Sequence, residues 1–140
     1  CTTVDQVLEV DLSDGWPSNV CVGGLPHGNP YVLSFDAPGE VTADMIVFHH
    51  TFRMSVNFPA SLSNSSVKAD VAATAQTDLL IKKNTSTTVG TVRFAAAGTT
   101  ASFVSFAASS WVSGDLLTLV APATADATLA DLHGTLMGVR

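Results

Sequence analysis

The side chains of this sequence best equipped for chemistry are its histidines, a few carboxylates beside turns, its large aromatic rings and two cysteines. His49 and His50 are adjacent. Neighbouring side chains on a strand point to opposite faces, so without a bulge the two cannot ligate one metal ion. His50 falls on an apolar face and reads as a packed, hydrogen-bonded core histidine, whereas His49 reads as a surface residue. His133 lies on the polar face of the last strand. His49, His133 and a carboxylate such as Asp131 would make a metal site or an acid-base group only if the fold carried them together, and nothing in their spacing does so. Glycoside hydrolysis needs two carboxyl groups facing one cleft. Asp115 after Gly114, and Asp126 and Asp131 around the last turn, instead stand where Asp ordinarily caps turns. A phosphate loop, a dinucleotide fingerprint and a Gly-x-Ser-x-Gly elbow are all missing from the sequence. The expectation is a non-enzymatic chain with no catalytic residue, no metal and no cofactor.

Trp16, Tyr31 and Trp111 are the large amphipathic aromatics. Such rings stack on the apolar faces of sugars while their polar edges hydrogen-bond, which makes Trp111, in the loop before Gly114 and Asp115, the first candidate for ligand binding. The other reading of Trp111 is a plug at one end of the fold. Asn64-Ser65-Ser66 and Asn84-Thr85-Ser86 match the glycosylation acceptor pattern, which arises readily by chance in a chain so rich in Ser and Thr. Cys1 and Cys21 can form one disulfide, and no histidine pattern beside them suggests zinc. A first residue of Cys fits a piece of a longer chain or a processed product, and a lipid-linked mature lipoprotein would begin the same way.

The elements that must position these residues are strands. From Val41 onward apolar and polar residues alternate, and turns recur about every ten residues, the pattern of an antiparallel sandwich. The clearest segment is Met45 to Val56, with Ile46, Phe48, His50, Phe52, Met54 and Val56 on the face marked for burial. Val67 to Ala73 follows a Ser/Asn turn at residues 61–66. Asp78 to Lys83 and Val89 to Phe94 flank the polar connection Asn84 to Thr88, suited to a hairpin. Ala101 to Phe106, Asp115 to Val120 and Thr128 to Met137 complete the series. Before residue 41, by contrast, Gly and Pro come in quick succession, and only Val4 to Leu12 and Tyr31 to Asp36 look extended. The expected organisation is an all-β chain: an irregular N-terminal arm or connector over residues 1–40 and an antiparallel, jelly-roll-like β-sandwich over residues 41–140.

Composition sets the limits on partners. Of 140 residues, 46% are hydrophobic but only 7% aromatic and 13% charged, which excludes intrinsic disorder. Twelve acidic against six basic residues give a net charge of −6, so nucleic acid is a poor partner. No run of about 18 apolar residues exists to insert a helix into a membrane. Ala, Ser and Thr supply about a third of the chain, which leaves a thin core and mild outer faces such as Ala72, Thr91, Ala96, Ser105, Ala107 and Thr118. Those faces are either solvated or buried between copies of the chain.

The ordered residues resemble a known module. Leu80-Ile81-Lys82-Lys83-Asn84, Val89 to Ala95, Gly114 to Pro122 and Asp126 to Asp131 together look like the β-sandwich near the distal ends of phage tail fibre and tail tip proteins, over residues 41–140. Thr85-Ser86-Thr87-Thr88 stands where a shorter Asn-Gly turn is usual in that family. The resemblance implies a virion structural protein, a homotrimer in contact with other virion proteins, whose end loops contribute to host attachment through a surface glycan or outer-membrane receptor. Multivalent display would then supply avidity. A capsid decoration or head-fibre protein is the runner-up within that class. Outside it stand a bacterial carbohydrate-binding module or surface lipoprotein, and a small glycan-cleaving enzyme.

Overall fold

Alternation of apolar and polar side chains builds nearly every element of the chain over residues 29–140, which a computed structural model describes. The strands are β1 (Pro30–Glu40), β2 (Ile46–Thr51), β3 (Val56–Phe58), β4 (Ser66–Val71), β5 (Thr77–Lys83), β6 (Thr87–Phe94), β7 (Ser102–Val104), β8 (Ser109–Trp111), β9 (Leu116–Val120) and β10 (Ala130–Val139). A single 3-10 turn, Ala60–Leu62, is the one helical element among the described residues. Two antiparallel five-stranded sheets result. One runs β1-β10-β3-β8 with β4 also paired to β10, and the other runs β2-β9-β5-β6-β7. The architecture is all-β and sandwich-like, with the apolar faces of the two sheets turned toward each other.

The shared interior is supplied by alternate residues of both layers. Leu33, Phe35, Val56, Phe58, Val67, Leu132 and Leu136 come from the first sheet, and Leu79, Ile81, Val92, Phe94, Leu117 and Leu119 from the second. Burying a side chain of this kind contributes about 1.5–3 kcal/mol relative to leaving it in water. The hairpin of β5 and β6 pairs Thr77 with Phe94 through to Lys83 with Thr87. Its loop, residues 84–86, is shorter than the five-residue connection expected. Asn84 and Thr85 both have positive φ, at 51° and 64°, a turn geometry that suits Asn and strains a β-branched Thr. Gly90 lies on the inner face of β6, where a Cβ would come within 2.9 Å of the Phe106 Cβ. Only glycine leaves room for that ring.

Three features depart from the expectations above. Residues 30–40, assigned to the irregular arm with only Tyr31 to Asp36 extended, form one strand throughout, β1, at the outer side of the first sheet. Pro30 and Pro38 are tolerated there because an edge strand need not donate every backbone N–H, while Leu33 and Phe35 are buried. Met45 to Val56 is not one strand. β2 belongs to the second sheet and β3 to the first, and Phe52 to Ser55 carries the chain across. The predicted inner face holds at Phe52 and Val56, which are buried, but a register shift between Ile46 and Phe48 turns Ile46 outward, 55% exposed. Ala101 to Phe106 likewise divides. Residues 99–101 pair with β4, through the amide of Ala69 to Thr99 O and the amide of Ala101 to Val67 O, whereas β7 pairs with β6.

Candidate functional site

Three connections meet at the end of the sandwich beyond Lys83: the crossing 52–55, the hairpin loop 84–86 and the turn 112–115. Asp115 ties them together. Its backbone carbonyl accepts the Phe52 amide at 2.9 Å, and the Gly114 amide donates to Phe52 O at 2.8 Å. Its carboxylate accepts the Val112 amide at 3.0 Å and the Asn84 side-chain amide at 3.0 Å, with Lys83 Nζ at 3.2 Å. Asn84 Oδ1 in turn accepts the Leu116 amide at 2.9 Å, and Lys83 donates to Ser110 O at 2.9 Å. The hydrogen bond from Asn84, followed by that from the Val112 amide, holds the Asp115 carboxyl below the usual range. Asp115 is therefore ionised at neutral pH and already committed to its neighbours, the turn-capping role expected of it.

Beneath these loops lies a packed aromatic cluster. Trp111 is 1% exposed, with its ring centroid 5.0 Å from that of Phe52 and 6.3 Å, edge-on, from that of Phe58. Its indole N–H donates to Ser109 Oγ at 3.0 Å, and Lys83 Nζ stands 5.3 Å from the ring centroid. The expectation of Trp111 as a ligand-stacking residue is corrected here. The ring plugs the end of the fold and offers no free face, because β8, which carries it, pairs with β3 and turns it inward. What the loop end presents to solvent is Arg53, Met54, Thr85, Ser86, Val112 and Ser113.

The remaining candidates are dispersed. His49 is exposed on the second sheet opposite Thr118, while His133 is on the first sheet opposite Lys68 and contacts Asp70 at 3.2 Å. The two histidines belong to different layers and do not meet. Asp131 accepts the Gly39 amide at 2.6 Å. Among the described residues no group of three His, Cys, Asp or Glu side chains is placed to hold a metal ion. His50 is hydrogen-bonded as expected, its Nε2 2.8 Å from the Tyr31 hydroxyl, but it is half-buried at the margin of the core and not within it. Asn64 is exposed, while the amide of Asn84 is spent on Asp115 and Leu116. The proposed disulfide of Cys1 and Cys21, and Trp16, lie outside the described residues.

At the opposite end of β5, Asp126 organises a second loop cluster. Its Oδ2 accepts the Thr74 amide at 2.9 Å, the Thr74 hydroxyl at 2.6 Å and the Ala75 amide at 3.0 Å. Its Oδ1 accepts the amides of Thr128 at 2.9 Å and Leu129 at 3.2 Å. The Thr128 hydroxyl lies 2.8 Å from both Asp126 Oδ1 and Ala72 O, within reach of either acceptor. The hydrogen bond from the Thr74 hydroxyl, then that from the Thr128 amide, pushes the Asp126 carboxyl far below the ordinary carboxylate range. A shallow groove of about 320 Å³, lined by Thr74, Gln76, Thr124 and Asp126 together with alanines, opens beside it, but no oxygen of Asp126 is left free for general-base work. The turn-capping role of Asp126 was legible from its place at the last turn. The reach across to Thr74 and the Lys83–Asn84–Asp115 junction had no local signal.

Comparison of the chain with protein-family models, with curated proteins and with solved structures finds no match.

Proposed function

We propose that this chain is a non-enzymatic structural module of a phage virion, a tail fibre or tail tip component that assembles as a homotrimer and turns its Asp115 loop end toward the host surface. The all-β sandwich-like fold is the one that the resemblance in residues 41–140 implies. The observation that carries the reading is how the side chains at the loop end are used. Asp115, Asn84 and Lys83 are consumed in fixing three connections, which leaves a rim of exposed Arg53, Met54, Thr85, Ser86 and Val112 with no acid-base pair among the described residues. A preorganised rim of this kind lowers the ordering cost of each contact, and several copies on one particle multiply weak contacts into firm attachment. Burial of Trp111 removes the exposed ring that a carbohydrate-binding module would need at this position.

Native mass spectrometry and light scattering of the intact chain, joined to a cell-adsorption assay with fluorescently labelled protein, test the proposal. The expected result is a trimer whose adsorption falls on Val112→Asp substitution at unchanged melting temperature. A monomer at micromolar concentration overturns the trimer, and unaltered adsorption by the variant removes the Asp115 end from the contact.

A further inference from the structure

The outer face of the second sheet carries one row of side chains that crosses every strand. Ile46 of β2 stands opposite Val120 of β9, Val120 opposite Leu80 of β5, Leu80 opposite Thr91 of β6, and Thr91 opposite Val104 of β7. None of the five is charged. Ile46 is 55% exposed and the other four are half-buried. The ranks on either side of this row differ in charge. On one side lie His49, Thr118 and Lys82, again in register across β2, β9 and β5. On the other side Asp78 of β5 is paired with Arg93 of β6, and Asp44 stands exposed two residues before Ile46, its amide bonded to Pro122 O at 3.0 Å. Along β2 and along β5, therefore, an acidic side chain precedes the row and a basic one follows it. Lys82 has no carboxylate partner among the described residues.

We infer that this face pairs with the same face of a second copy of the chain, about a two-fold axis that runs along the row. An uncharged row spanning a whole sheet is surface of the kind that contacts cover. A copy turned about such an axis lays row on row and exchanges the flanking ranks. Lys82 then faces the second copy's Asp78, and His49 faces the second copy's Asp44, each contact being made twice as the symmetry requires. Asp78 can receive Lys82 without giving up Arg93. Each of its carboxylate oxygens accepts one hydrogen bond from Arg93 and keeps a further lone pair, and both side chains are still partly in water. Charge disfavours the other ways of bringing copies together over Leu80. A two-fold axis along the strands sets Lys82 against Lys82 and Asp78 against Asp78, and a three-fold axis along the strands gathers three of each. Opposed like charges work against association. The pairing is thus a contact additional to that of the proposed trimer and does not rest on that reading.

Native mass spectrometry of the intact chain over a concentration series, with melting temperatures to establish that each variant folds, tests the pairing. Species of two chains are expected, or of six where trimers also form. Leu80→Asp sets two carboxylates face to face at the axis and should raise the dissociation constant of the pair at least about tenfold. Val32→Asp, exposed on β1 of the other sheet, should leave it unchanged. Lys82→Asp and Asp78→Lys should each weaken the pair, because each sets like charges against one another. An equimolar mixture of those two variants should form a mixed pair, in which both contacts again join opposite charges. Species of one and three chains only overturn the pairing and leave the trimer standing, whereas two-chain species with no multiple of three do the reverse. Two-chain species that persist in Leu80→Asp overturn this face as the contact, and a mixture that forms no mixed pair overturns the axis.

Discussion

The two ends of β5 lead into loop clusters built by different chemistry. At the Lys83 end, the aromatic side chains of Phe52, Phe58 and Trp111 fill the space between the sheets, and Asp115 fixes the connections above them. At the Thr77 end the loops themselves carry small side chains, Ala72, Ala73, Ala75, Ala125 and Ala127, above Phe94 and Leu129, and one carboxylate, Asp126, holds residues 74–75 to residues 128–129. One end is secured by the removal of apolar surface from water, the other by satisfying backbone N–H groups that a loop would otherwise leave to solvent. The first kind of closure responds chiefly to lost volume, and its response to protons is confined to the Asp115 cap above the rings. The second responds to protons and barely to volume.

The contrast is broken most severely by deleting a ring. Phe52→Ala should cost about 3–5 kcal/mol of unfolding free energy, because Phe52 is 1% exposed and touches Tyr31, His50, Phe58 and Trp111 at once. Urea denaturation at neutral pH measures it, and a change below about 1 kcal/mol would mean that the cluster adapts to the loss. A smaller effect, opposite in character, is expected of Asp126→Asn. The folded carboxyl lies far below its unfolded value, so its stabilisation is complete above the ordinary carboxylate range and is lost as pH falls below it. The variant should therefore be less stable than the parent at pH 7 and show a flatter loss of stability below about pH 4. Parallel acid limbs for the two proteins would assign the acid response to Asp115 and Asp78 instead. The smallest effect is reserved for Asp78→Asn. Arg93 donates to Asp78 at 2.8 and 2.9 Å across β5 and β6, but both side chains are partly in water, and pairs of that kind are worth less than about 1 kcal/mol. Raised salt should narrow the difference between parent and variant in the same denaturation experiment.

Elements with an unbroken pattern of two were legible in the sequence. Leu79, Ile81, Val92, Phe94, Leu117 and Leu119 are buried as alternation marks them, and the register shift in the β5–β6 hairpin falls only after Ile81. Legibility failed where tertiary structure overrides local pattern. The alternation from Met45 to Val56 continues through residues that leave one sheet for the other, and periodicity reports which face is buried but not which neighbour does the burying. Pro30, Pro38 and Gly39 signal an interruption that an edge strand can tolerate. β8 is three residues long, and Ser109-Ser110-Trp111 contains no alternation to detect. At the loop end, Asp115 was readable as a cap, since a carboxylate after glycine at a strand entrance has few other uses. Its partners Lys83 and Asn84 lie about thirty residues away, and only the pairing of β5 with β9 brings them near. Tyr31 and His50 meet for the same kind of reason, from strands in opposite layers.

Residues 99–104 carry a mechanical implication. Thr99 and Ala101 are stitched to β4 of one layer, and the next three residues to β6 of the other. A short stretch of chain thus serves as a rivet through both plates of the sandwich, and the crossing from β2 to β3 is a second. Sliding one layer over its neighbour would tear hydrogen bonds on both sides of each rivet. Under load directed along the strands, the domain is expected to resist up to a threshold and then give way in a single step, with no partly sheared form in between.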